Sequence, residues 1–180
     1  MLRLEFCRDV IKLEQKDQWF QAAMLQRSLW ENNNKDLNLS LCAILQHWYA
    51  MMELEYLAEN PLAPDRNSHL CCVLEGSLRE ITHRSDELFM DELEYNLYTG
   101  YVFTISPLYW GGFDQINAEG HKRIKRAYQK APHNVFVQML YYGSVSGKEE
   151  LYDAAHKQYR EFALKQPQTG PSVLEYFNDL

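Results

Sequence analysis

No run in this 180-residue chain approaches the roughly 18 consecutive apolar residues of a membrane-spanning helix. Its opening, MLRLEFCRDV, has neither a long apolar segment nor a small-residue cleavage site. The expectation is a cytoplasmic protein without membrane spans. Basic charge is also in short supply: 18 Lys and Arg stand against 25 Asp and Glu, a net charge of −7. Such a balance repels phosphate backbones and anionic membranes unless a local patch overrides it, so neither nucleic acid nor a membrane is an expected partner. Glycine and proline are scarce, at 8 and 6 residues, as a helix-dominated chain requires.

Catalytic signatures are missing as well. There is no G-x-S-x-G, no phosphate loop and no G-x-G-x-x-G. The four cysteines, Cys7, Cys42, Cys71 and Cys72, show no C-x-x-C spacing and read as reduced core residues of a cytosolic protein. His69-Leu-Cys71-Cys72 invites a zinc reading, but adjacent cysteines on a helix point about 100° apart and no second cysteine pair completes four ligands. No cofactor, metal or catalytic residue is therefore assigned.

What the sequence does contain is helical periodicity. Apolar residues make up 46% of the chain and charged residues 24%, ordinary for a globular protein, and a chain of this length can bury one full core. Apolar positions recur every three or four residues almost throughout, so an all-α fold is expected. LRLEF near the start alternates like a strand before the pattern turns helical. Helices are expected over 17–31, with Trp19, Phe20, Ala23 and Trp30 as a buried stripe, and over 39–59, with Leu41, Leu45, Trp48, Met52 and Leu57 on one face and NPLAP as the stop. Further helices are expected over 67–83, from an N-cap at Ser85 toward Tyr101, and over 114–130, 135–142 and 148–165, with a short one after Pro171.

A recurrence organises the C-terminal third. Pro132 and Pro167 lie 35 positions apart, and the same shift lays Gly120 over Ala155, Ile124 over Tyr159 and Ala127 over Phe162. A small residue lets two helices approach, a bulky one fills the groove, and proline ends the helix where the chain turns. The order resembles the tetratricopeptide repeat over residues 108–167, departing from it at Thr104 and Phe162. PLYWGGFD, residues 107–114, resembles the P-x-x-W-G-G signature of a bacterial family of unknown function with tetratricopeptide-like helix packing, carried by Pro107, Trp110, Gly111 and Gly112. These resemblances imply one domain built as an irregular tetratricopeptide-like array of antiparallel helical hairpins. Its parts would be N-terminal helices over 1–64, middle helices over 65–106, two repeat-like modules over 107–167 and a C-terminal tail over 168–180.

Three features remain as candidates for function. HKRIKRAYQK, residues 121–130, distributes Lys122, Arg123, Lys125, Arg126 and Lys130 around about three helical turns. It reads as a solvated face, with docking of an acidic partner as the alternative. Two acid-x-x-His steps, Glu80 with His83 and Asp153 with His156, have the spacing that di-iron helical bundles use, and a metal-dependent helical enzyme built on them is the alternative from another class.

Aromatic residues crowd residues 95–113. Most should fill space between helices, while Tyr98, Tyr101 and Tyr109, with Gln138 and Tyr141, are candidates for a partner-binding groove. Trp110 is expected to pack against the Gly-Gly turn. Acidic side chains supply a matching rim: Glu53, Glu55 and Glu59 share one helix, and Asp86, Glu87, Asp91, Glu92 and Glu94 cluster nearby, with Asp91, Glu92 and Glu94 the chosen candidates. Solubility is the plain account of these charges, and faster encounter with a basic partner the sharper one. The expected function is non-catalytic binding of another protein, in its specific form a bacterial immunity protein neutralising a basic toxin. An adaptor or secretion chaperone is the alternative within binding functions.

Overall fold

A computed structural model describes residues 4–58, 64–163 and 171–180, the side chains of 56–58 and 64–68 excepted. Among the described residues all regular structure is helical. The elements are α1 (Arg8–Glu14), α2 (Trp19–Asn32), α3 (Leu37–Ala58), α4 (Pro64–Phe89), α5 (Leu93–Ile105), a 3-10 turn (Pro107–Trp110), α6 (Phe113–Lys130), α7 (Val135–Gly143), α8 (Glu149–Ala163) and α9 (Ser172–Asn178). The all-α expectation holds among the described residues; the first two residues of the ambiguous LRLEF segment lie outside them, and its remainder leads into a helix that starts at Arg8. The NPLAP stop falls largely outside the described residues; α3 ends at Ala58 and α4 opens on Pro64, where a missing N–H costs nothing.

One expected boundary is corrected. The chain does not break before Ser85, because α4 runs unbroken to Phe89. Leu74, Leu78, Ile81, Ser85 and Phe89 are all buried, at spacings that keep one helical stripe facing inward. Ser85 therefore occupies a core position rather than a cap. The next helix begins at Leu93, behind Glu92 in extended conformation.

The chain divides into two compact units, one comprising Met1–Met90 with Pro171–Val173 and the other Asp91–Gly170 with Leu174–Leu180. In the first, α3 packs against both α2 and α4, and α1 packs against α2. Flanked on both sides, α3 buries every residue from Ser40 to Trp48, so Leu41, Leu45 and Trp48 belong to a fully enclosed helix rather than to one apolar face. Met52 is half-buried, and the side chain of Leu57 lies outside the described residues. Of the expected α2 stripe, Trp19, Ala23 and Trp30 are buried and Phe20 is half-buried.

In the second unit α5 packs on α6, α6 on α7 and α7 on α8. The α5–α6 contact is set by two glycines facing each other. A Cβ on Gly120 would come within 2.8 Å of the Gly100 carbonyl oxygen, and one on Gly100 within 3.0 Å of the Gly120 oxygen. Gly111 ends the 3-10 turn with φ of 98°, a left-handed conformation natural to glycine. Trp110 packs its ring 4.7 Å from Phe103, beside that turn. The residues behind the repeat pattern are mostly internal: Gly120, Ile124 and Ala127 are buried on α6, and Ala155 and Tyr159 on α8. Phe162 is 51% exposed and Ala163 holds the inner place, four residues after Tyr159. The match to Ala127 thus slips by one position.

Candidate functional site

The second unit contains a cavity of about 690 Å³. The C-terminal half of α5 contributes Tyr101, Thr104 and Ile105, and α6 contributes Asn117, His121 and Ile124. The end of α7 and the residues after it contribute Tyr142, Gly143 and Ser144, and α8 presents Glu149, Tyr152 and Asp153, which lie three and four positions apart on one helical face. Local chemistry fixes several of these groups. Asn117 donates from Nδ2 to the Thr104 carbonyl at 3.1 Å. The backbone N–H groups of Glu149 itself and of Gly147, the latter 3.1 Å from Oε1, hold the Glu149 carboxyl below its usual range. Tyr101 shares a hydrogen bond with the Tyr176 hydroxyl at 2.9 Å, and burial pushes its phenol well above the usual value.

Among the partner-binding candidates, only Tyr101 lines this cavity; Asp153, a candidate for the alternative metal site, lines it as well. Tyr98 is 4% exposed and belongs to the core, its ring 5.2 Å from Phe177 and 6.1 Å from Phe136. Tyr109 is half-buried on the 3-10 turn beside Trp110. Gln138 donates from Nε2 to the Pro132 carbonyl at 2.7 Å, closing the connection between α6 and α7. Tyr141 stacks face to face on Tyr128, with ring centroids 4.0 Å apart. Asp91 and Glu92 are exposed and Glu94 half-buried, and all three sit at the positive end of the α5 dipole. Lys130 donates to the Asp91 carbonyl.

The acid-x-x-His steps do not build a metal centre. Glu80 binds Arg27 at 2.6 Å and Arg84 at 3.5 Å, while His83 is exposed and faces Glu87 at 3.9 Å. His156 stacks on Tyr152 instead of meeting Asp153. Among the described residues no three His, Cys, Asp or Glu side chains gather where they could hold an ion. The cysteines also depart from expectation. All four are free, only Cys42 is buried, and Cys72 is exposed. Burial pushes the Cys42 thiol far up, away from nucleophilic character.

The basic stretch is not one solvated face. Arg123 is 3% exposed, donates from Nη1 to Thr99 Oγ1 at 3.0 Å and lies 4.4 Å from the centroid of the Phe103 ring. Glu119 collects Arg126 at 3.2 Å, Arg123 at 3.4 Å and Lys122 at 3.8 Å. Sequence reasoning missed Glu149 and Tyr152 as site residues and met Asp153 only as a metal ligand. Their shared i, i+3, i+4 face on α8 was the available signal. Comparison with known proteins finds no matching family, no matching curated protein and no matching solved structure.

Proposed function

We propose that the chain is a non-catalytic protein-binding helical protein, its hairpins forming an irregular tetratricopeptide-like array, and that the second unit carries the binding surface. The observation that supports this reading is the tyrosine-lined cavity together with exposed apolar side chains in its lining and in the stretch of chain that follows. Ile105 lines the cavity and is 42% exposed, and Leu108 within the 3-10 turn and Phe113 just after it are 67% and 59% exposed. Large apolar side chains left in water along one stretch of chain, the first of them in the cavity lining, are what a protein partner would cover. The net charge of −7 favours a basic partner, since opposite charge speeds and orients the encounter. In its specific form the protein is a bacterial immunity protein that neutralises a basic toxin.

Affinity capture from native lysate tests the reading, with wild-type protein compared against the double substitution Leu108→Ser and Phe113→Ser. Both sites are exposed, so the fold should survive the change. One dominant, stoichiometric partner is expected on the wild type, retained at least about tenfold less by the variant. Expression of that partner alone should arrest growth, and co-expression of this chain should restore it. No retained partner, or equal retention by the variant, would reject the proposal.

A further inference from the structure

Resting on the reading of the second unit as a partner-binding surface, we infer that residues 174–180 are an internal ligand of that unit. They occupy a groove that receives an amphipathic helix of the partner, which docks by taking their place. These residues are the part of the C-terminal segment that belongs to the second unit. Their anchor is Phe177, 3% exposed in a box of rings: Tyr98 and Tyr101 of α5 stand 5.2 and 5.4 Å away and Phe136 of α7 6.2 Å. Tyr159 of α8 donates its hydroxyl to the Phe177 carbonyl at 2.7 Å. The groove is thus walled by α5, α7 and α8, and a helix lies in it. Helices are recognised in grooves through apolar residues three or four positions apart, the spacing of Phe177 and Leu180.

The fit of this occupant is incomplete. Leu180 is half-buried and lines the cavity of about 690 Å³, so space remains beside it. Tyr101 belongs both to the ring box and to the cavity lining, which makes the two continuous. Ile124, Met139 and Leu140 also line the cavity and are themselves buried, giving it apolar walls. A recess of this kind accepts an apolar side chain larger than leucine.

The contacts of α9 are also replaceable. A helix of seven residues does not hold its conformation alone, so α9 is ordered by docking. Tyr159 bonds a main-chain carbonyl, a group that any helix offers. The contact specific to this sequence, between the Tyr101 and Tyr176 hydroxyls at 2.9 Å, joins two half-buried side chains. A partner helix with an aromatic residue and a large apolar residue three positions later fills the ring box and the cavity together. The attached segment competes through its high effective concentration, so a helix that fits no better than α9 is kept out.

The test uses the whole chain and a fluorescein-labelled peptide, PSVLEYFNDL, residues 171–180, read by anisotropy. On the wild type this peptide competes with the attached copy of itself and binds weakly. Tyr176→Phe in the chain removes the hydroxyl pair, and Phe177→Ala empties the ring box, so peptide affinity should rise about threefold and at least about tenfold respectively. Phe177→Ala within the peptide should cost at least about tenfold, and Leu180→Trp within the peptide should gain about threefold. Equal affinity across the chain variants, or a peptide indifferent to loss of its phenylalanine, would overturn the inference. Tyr176→Phe keeps the ring and decides the matter if Phe177→Ala unfolds the chain. A tryptophan peptide that binds no tighter would overturn the cavity as the unfilled part of the groove.

Hydrogen exchange on the captured complex tests displacement directly. Amides of residues 177–179 should exchange at least about tenfold faster with the partner bound than without it. If capture depends on Leu108 and Phe113 while those amides stay as protected as before, the inference fails and the binding function stands. If the peptide results hold and no partner is captured, the binding function fails and the helix groove stands.

Discussion

The two units fill their interiors by different means. In the first, the enclosed helix α3 carries polar groups into the core. Trp30 Nε1 donates to Ser40 Oγ at 3.2 Å, and His47 is fully buried between the Ala43 carbonyl at 2.8 Å and Ser77 Oγ at 2.9 Å. Gln26 and Gln46 are fully buried, and their amides find no hydrogen-bond partner among the described residues. In the second, rings and a close backbone contact fill much of the interior, beside the buried hydrogen bond from Arg123 to Thr99. Phe136 lies 4.8 Å from Tyr159, Tyr98 lies 5.2 Å from Phe177, and Gly100 meets Gly120. Hydrogen bonds are directional and fail when a proton is added or a partner removed, whereas packed shapes fail when volume changes. The first unit should thus be sensitive to acid and the second to added methyl groups.

Acid should have the largest effect. The Ala43 carbonyl can only accept, so His47 carries its proton on Nδ1 and accepts from Ser77 at Nε2. Burial is the main reason that this imidazole is pushed down from 6.5 to about 4. Folding therefore keeps it neutral where the unfolded chain takes up a proton. The stability this contributes is fully present above pH 6.5 and is lost as pH falls toward 4, at up to about 1.4 kcal/mol per pH unit, or roughly 3 kcal/mol over the window. Urea titrations between pH 7 and pH 4 should show this slope in the wild type, and a His47→Gln variant should lose it. Equal slopes in the two proteins would mean that His47 is not the acid-sensitive group.

Second in size is the glycine contact. Gly120→Ala places a methyl group 2.8 Å from both the Gly100 oxygen and Thr104 Cγ2, and 3.0 Å from Phe103 Cβ. The oxygen is backbone, so relief requires the helices to separate. Overpacking of about 1–3 kcal/mol outweighs the gain of roughly 1 kcal/mol in helix propensity. A net loss of up to about 2 kcal/mol in denaturant unfolding is expected, with little pH dependence. A stabilised Gly120→Ala protein would show that α5 and α6 are not in backbone contact.

The same division explains what could be read in advance. Elements were legible where periodicity is local: α2, α3, α6, α7 and α8 fall within two residues of expectation at the boundaries that can be compared, and Gly120 was recognised as a close-approach position. Ser85 misled because a serine beside Asp86 and Glu87 has the chemistry of a cap, and only tertiary packing on α4 makes it a core residue. Arg123 misled in the same way, since its burial depends on Thr99 and Phe103, 24 and 20 positions earlier in the chain. At the site, Tyr101 was found because aromatic crowding is visible locally. The cavity itself assembles from four helices, and no local pattern announces which side chains of α7 and α8 will face α5.

Gly76→Ala carries the smallest effect and the sharpest comparison, because it is the substitution of Gly120→Ala made in the other unit with the opposite sign expected. Gly76 lies inside α4, exposed, and a Cβ added there would meet nothing within 4 Å. With no steric cost, what remains is the entropy that glycine loses on entering a helix, and alanine removes about 0.5–1 kcal/mol of that penalty. A small rise in the unfolding midpoint is expected, with the pH slope due to His47 unchanged because the new methyl group touches no polar group of the core. Loss of stability at Gly76 would mean that α4 depends on flexibility there, and glycine content alone would then no longer separate the close-packed unit from the hydrogen-bonded one.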